Sequence, residues 1–435
     1  MPLMCNSCLR RSFTFPGNSQ RFLADIKSDA ARYQPTFPTP FALYSITRHS
    51  SSGLTMAPIP PELTDYIVDY LHDDRRALKA CSLTSRTWHP AAKFHLYRKV
   101  SLPSFESCQT YQELLEMSPF LGAFTREINV SIPWAPAADR NGDNNHETEL
   151  HRLWASILPA LTTVERLNLS LLTLDGVFTP NLIRNLNTVT EISLQYCRFA
   201  SFSDFFALLR SFPSLRECLL RGISWNDGSA FADATFLGVE PKRGLMKLKS
   251  LTLGRDMSLE DVVQWLIAEE ACTELESFAG SCSSERDALL LSEMLRAASD
   301  TVKDVSLDWY SSSYNAVHLP FDFTFGSCPS LESLTLRCPI ALHSSVPWVT
   351  SMLAQVNPAR LKTFNLEIRL LGCLTGLEWA GLESRLLREE FAQLTTVEVK
   401  VIVWHTATGM PDGIQQALCR LLPVLHSKGM LRVLC

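Results

Sequence analysis

The sequence predicts an α/β chain in two parts, a small all-α module of three short helices and a long α/β solenoid with a parallel sheet on its concave side. Three observations predict it. Apolar residues between positions 59 and 97 recur in short bursts at three- and four-residue spacing. An apolar-x-x-apolar-x-apolar pattern then returns at intervals of 25 to 33 residues almost to the C-terminus. Between its copies lie stretches of helical spacing, so period 2 and period 3.6 alternate along the chain.

The bulk numbers set the frame. At 435 residues the chain exceeds a single compact core, which stops growing near roughly 250–300 residues. A hydrophobic share of 46% and a charged share of 20% describe a folded chain. A net charge of −5 argues against nucleic acid, which wants a clustered basic surface. No apolar run approaches the roughly 20 residues of a membrane helix, so no membrane partner is expected.

The thirteen cysteines are scattered over the length. The close pair Cys5 and Cys8 has no second Cys or His pair to complete a zinc tetrahedron, so no metal is expected. Others, such as Cys81, Cys218 and Cys419, sit among apolar neighbours and read as small core residues. An odd number of thiols without a secretory signal fits the reducing cytoplasm or nucleus. Residues 1–56 differ in kind, with Arg10, Arg11, Arg21, Lys27, Arg32 and Arg48 against Asp25 and Asp29, and many Ser, Phe and Pro. They read as a disordered extension or a start truly at Met56; an organellar transit segment is the alternative.

The helical module occupies residues 57–96. Pro60 and Pro61 suit a first helical turn, whose N–H groups have no intrahelical partner. Leu63, Ile67, Tyr70 and Leu71 then form one apolar stripe, with Glu62 and Asp65 favourably placed on the helix dipole. His72-Asp73-Asp74 ends that helix, and either Asp can cap the next, which carries Ala77, Leu78, Cys81 and Leu83. A third burst holds Trp88, Ala91, Ala92 and Leu96, with a kink or restart expected at Pro90.

The run Ile59-Pro60-Pro61-Glu62-Leu63, then Ile67, Leu71, Leu78, Cys81-Ser82-Leu83, Ser85-Arg86 and Trp88, resembles the F-box, especially the version common in mushroom-forming fungi. Ile59 stands where that version usually has leucine. The resemblance implies binding to a Skp-family adaptor, and through it to a cullin–RING ubiquitin ligase. Carried over residue by residue, the adaptor face would be Pro60, Pro61, Leu63, Ile67, Leu71, Leu78, Leu83 and Trp88. Of these, Trp88 is as readily a core residue, as is Cys81 beside them, while Pro61 and Leu63 are the better interface candidates.

From residue 97 onward the repeat takes over. Strong copies begin at Val164, Val189, Leu215, Leu248, Leu275, Val302, Leu331, Leu361 and Leu394. Weaker ones at Tyr97/Val100/Leu102, Ile128/Val130 and Met430/Val433 extend the series both ways. Helical spacing fills 202–212, 258–270, 284–298, 346–356, 377–393 and 414–426, and Ser258 to Asp261 approximates a capping box. The stretch 135–149 reads as a polar surface loop. The whole resembles a degenerate leucine-rich repeat, although the Asn or Cys usual after the strand is met only by Cys197.

Such arrays recognise partners through non-core strand positions. The candidates are Arg166, Asn168, Glu191, Gln195, Arg216, Arg221, Thr252, Arg255, Asp304, Asp308, Trp309, Thr335, Arg337, Asn365 and Glu367. Arg221, Arg255, Asp308, Trp309, Tyr310 and Arg337 are singled out for substrate binding, and Trp309, Tyr310 and Tyr314 stand out because exposed aromatics anchor interfaces. No hydrolase, zinc-protease, phosphate-loop or dinucleotide motif is present, Gly is only 18 of 435, and the ten histidines, His146 and His151 included, lack ligand spacing. No catalytic role and no cofactor are expected. The function implied is substrate receptor of a Skp–cullin–F-box ligase; the alternatives are an F-box scaffold or decoy, and an α/β enzyme whose core mimics repeats.

Overall fold

In a computed structural model, the described residues are 60–132, 145–174, 186–225, 246–310, 325, 328–340, 348–356, 358–370, 374, 377–403 and 413–434. The extension 1–56, the Cys5/Cys8 pair and Tyr314 lie outside them. The chain divides into two compact units, the first holding residues up to 96 with 103–110, the second 97–102 with 111 onward.

The first unit carries three ten-residue helices, α1 (Pro61–Tyr70), α2 (Arg75–Thr84) and α3 (His89–Arg98). Pro60 is the N-cap of α1, and its carbonyl accepts from the Leu63 and Thr64 amides at 3.1 Å. Asp74 caps α2, its Oδ1 accepting from the Arg76 and Ala77 amides at 3.0 Å. Pro90 is the second residue of α3, so the restart foreseen there is a helix start. Val68, Leu78, Cys81 and Ala92 form the buried centre, with Leu71, Trp88, Ala91 and Leu96 packed against it. His95 Nε2 meets Asp69 Oδ1 at 2.7 Å, tying α3 to α1.

The second unit is built on a twelve-stranded, wholly parallel sheet. Its first six strands are β1 (Lys99–Leu102), β2 (Glu127–Ser131), β3 (Arg166–Ser170), β4 (Glu191–Gln195), β6 (Glu217–Arg221) and β8 (Ser250–Leu253). The rest are β9 (Ser277–Cys282), β10 (Asp304–Trp309), β11 (Ser333–Ile340), β12 (Thr363–Leu370), β13 (Thr396–Val403) and β14 (Leu431–Leu434). Their order in the sheet is their order in the chain. Two short strands, β5 (Arg198–Phe199) and β7 (Ser224–Trp225), pair separately.

Register explains the repeat. The second apolar position of each copy pairs with that of the next, as in Leu167, Ile192, Cys218, Leu251, Phe278, Val305, Leu334, Phe364 and Val397, all buried. The third positions pair likewise, and the gap at Gly280 has a steric cause, because a Cβ there would come within 2.6 Å of Leu291 Cδ1. The last copy is the exception. Leu431, not Val433, pairs with Val397, and Val433 pairs with Val399, so Met430/Val433 was read two residues out of register.

Helices join the strands: α4 (Phe105–Met117), α5 (Asn145–Ile157), α6 (Phe202–Arg210), α7 (Leu259–Ala268), α8 (Glu285–Ala297), α9 (Trp348–Gln355), α10 (Trp379–Leu386), α11 (Ile414–Leu421) and α12 (Pro423–Ser427). The sequence reading missed α4 and treated the start of α5 as loop; Asn145 to Glu149 are helical. Ser201 and Ser284 make full capping boxes with Asp204 and Asp287. Ser258 does not, because its Oγ turns to Asp261 Oδ2 at 2.5 Å and caps no backbone amide. An aromatic cluster of Phe199, Phe202, Phe205, Phe206, Trp225 and Trp265 joins α6 to α7.

Candidate binding surfaces

Helix α1 is apolar on two sides. Thr64 and Val68 are buried and Leu71 packs on the core, while Leu63, Tyr66, Ile67 and Tyr70 are 54%, 72%, 38% and 82% exposed. These four stand at i, i+3, i+4 and i+7, one continuous stripe along the outer face. Leu83 of α2 is exposed as well. Leu78 is not available to a partner, because it fills the centre of the three-helix core. Leu71 and Trp88 also pack against that core and are half-buried. Tyr66 was missed by the sequence reading, although its place three residues after Leu63 identifies it. Pro60 is exposed, and Pro61 opens the helix.

In the second unit, strand parity sorts the candidates. Arg166, Asn168, Glu191, Gln195, Thr252, Thr335, Asn365 and Glu367 alternate with the core residues and are half-buried on the opposite sheet face; Arg216 and Asp304 are exposed. Asn168 Nδ2 donates to Asn129 Oδ1 at 2.5 Å and Asn365 Nδ2 to Thr335 Oγ1 at 3.1 Å, so neighbouring strands are laced together on this face. At the strand starts, basic and acidic residues alternate: Lys303 to Glu276 at 2.9 Å, Lys362 to Glu332 at 2.7 Å. These exposed pairs hold Glu276 and Glu332 below the usual carboxylate range through hydrogen bonds from Lys303 and Lys362.

Toward the strand ends lies the densest charged cluster. Asp308 Oδ2 accepts from Arg255 at 2.7 Å and from Arg369 at 2.9 Å. Burial alone would raise the Asp308 carboxyl, but the hydrogen bonds from Arg369 and Arg255 outweigh it and hold the group below its ordinary value. Arg337, cross-strand from Asp308, donates to Ser306 Oγ at 2.9 Å and lies 3.5 Å from Glu367, which Lys400 also approaches at 3.5 Å. The Arg255 guanidinium sits 3.7 Å over the half-exposed Tyr310 ring, and Arg221 lies 5.3 Å over Tyr196.

Trp309 belongs to the core instead. It continues the alternation of Val305 and Leu307, pairs with buried Cys282 and is 5% exposed. The structure thus brings Arg255, Asp308 and Tyr310 together, with Arg369 as a partner that sequence spacing gave no means to find. Among the described residues, no three His, Cys, Asp or Glu side chains converge on a possible metal position, and no helix is long and apolar enough to cross a membrane. The side chains of His146 and His151 lie outside the described set.

No protein-family model and no curated protein matches this chain.

Cys218, Cys272 and Cys338 are buried, and burial pushes their pKa up to about 12, with Cys197 at about 11. Cys419, read from sequence as a core residue, is half-buried.

Proposed function

We propose that the chain is the substrate-recognition subunit of a Skp–cullin–F-box ubiquitin ligase. In this reading α1–α3 are the F-box that binds the adaptor, and the parallel array is a leucine-rich-repeat-like solenoid that holds a protein substrate. The observation that carries it is the exposed stripe of Leu63, Tyr66, Ile67 and Tyr70 on a helix whose other side already fills its own core. Leaving four large apolar side chains in water costs solvation free energy with no return inside the unit, and such stripes mark interaction sites. They fall in the segment that resembles the F-box.

The array supports the second half of the reading. Sequential parallel strands at intervals of 25 to 33 residues fit a repeat receptor, and its polar sheet face offers many non-core positions. The chain would act as a tether that raises local concentration, with ubiquitin transfer performed by other subunits. The test is co-elution of the purified chain with a Skp-family adaptor. Leu63→Asp and Ile67→Asp should each abolish co-elution while leaving the thermal transition in place; retention of the adaptor by both would refute the proposal.

A further inference from the structure

One concavity on the second unit is unused by adaptor docking. Directly after β3, β4 and β6 the chain turns at Leu171, Tyr196 and Gly222, whose amides donate to the Gln195, Arg221 and Arg255 carbonyls at 2.9, 2.7 and 2.7 Å. All three hold the left-handed conformation, with φ of 59°, 55° and 62°. Gly222 adopts it without steric cost, whereas large L side chains such as Leu171 and Tyr196 disfavour it. Both of these side chains are turned outward, 40% and 42% exposed. Strained positions that leave apolar groups in water add nothing to the core, and such strain clusters at binding sites.

Alternation builds a pocket around them. Two residues further on, Thr173 pairs with Arg198 and Arg198 with Ser224 across neighbouring strands. The residues between the two rows, Leu172, Cys197 and Ile223, are buried. Both rows therefore face outward, the first apolar and the second polar. Gly222 supplies the room, because a Cβ there would come within 2.4 Å of the Tyr196 ring. The Arg221 guanidinium lies 5.3 Å over that ring. Trp225 adds a second aromatic wall, its indole braced by the buried rings of Phe202 at 4.9 Å and Phe205 at 6.4 Å. The enclosed volume is about 380 Å³.

We propose that this pocket binds a small planar aromatic molecule carrying one oxygen acceptor. Its volume falls in the range of small-molecule sites, roughly 300–1,000 Å³. Tyr196 and Trp225 offer ring faces and edges against which a flat ring packs in offset or edge-on geometry. Hydrogen-bond donors are gathered in the polar row, in the Thr173 and Ser224 hydroxyls and the Arg198 guanidinium, and there the oxygen of the ligand is met. Among the described residues no carboxylate lines the pocket, so nothing in its wall favours a cation. Arg198 is exposed, where an ion pair contributes little, so ring packing carries the affinity and charge does not. This site goes beyond the ubiquitin-ligase reading, since its occupation needs neither adaptor nor protein substrate.

The test is equilibrium dialysis of the full chain, without adaptor, so that failure of adaptor docking has no bearing on it. Coumarin is the probe, flat and neutral with a carbonyl oxygen. Octahydrocoumarin keeps the carbonyl but not the flat ring, and N-methylquinolinium keeps the flat rings but replaces the acceptor with a positive charge. Coumarin should bind saturably, on the order of tenfold tighter than either counterpart, and with little dependence on salt. Tyr196→Ala and Leu171→Asp, both at exposed positions, should each weaken coumarin on the order of tenfold while circular dichroism shows the thermal transition in place. No saturable binding of coumarin, equal or tighter binding of either counterpart, or binding that survives both substitutions would each overturn the proposal.

Discussion

Asp308 carries opposed demands in a single side chain. Burial works against its charge, while Arg369 and Arg255 both donate to Oδ2 and stabilise it. The net effect lowers its pKa from the ordinary carboxylate value near 3.9. A carboxyl lowered in the folded state adds stability that is full above the unfolded value and is lost as pH falls through the folded one. The loss therefore falls below about pH 4. Asp308→Asn should reduce stability at pH 7, and the difference between the two proteins should shrink as pH falls below about 4. Chemical denaturation across that range measures it; parallel stability curves would show that Asp308 contributes nothing through its charge. Its neighbour Trp309 carries a different lesson, because its parity with Val305 and Leu307 already placed it inside, whereas its position just past the repeat motif suggested the surface.

At the scale of elements, α6 and α7 are joined by a buried pair that spacing could not reveal. Arg210 donates to Glu269 Oε1 across 59 residues of chain, and Glu269 is fully buried. Removing one partner of such a pair strands the other charge, so Arg210→Ala should cost about 3 kcal/mol, read by urea denaturation. An effect below about 0.5 kcal/mol, the ordinary range of surface substitutions, would contradict that role. Helix caps give a paired comparison. Ser284→Ala, which breaks a full capping box, should cost about 1 kcal/mol. Ser258→Ala should stay within about 0.5 kcal/mol, because that hydroxyl caps no amide. Both serines look alike in sequence, each followed by Asp three residues later; the hydroxyl's choice between amide and carboxylate separates them.

For the whole molecule, the sheet was legible because one rule holds in eleven of its twelve strands, Gly280 breaking it in β9: an apolar pair two residues apart, paired in register with the next. The small β5–β7 sheet was not, since two-residue strands leave no periodic trace. In the helical unit the three helices were legible, but the assignment of α1's apolar residues was only half right. Leu63, Ile67, Tyr70 and Leu71 read as one stripe, whereas the fold turns Leu71 inward and leaves the other three out with Tyr66. A helix with apolar residues on both sides gives periodicity no way to say which side is the core; only packing against Leu78 and Ala92 decides it. That outer stripe is where the proposed ubiquitin-ligase role stands or falls. The most direct measurement is isothermal titration of a purified Skp-family adaptor into the full chain and into its Leu63→Asp variant. Saturable one-to-one binding to the former and none to the latter is expected; no binding to either, or equal binding to both, would contradict the adaptor-docking role.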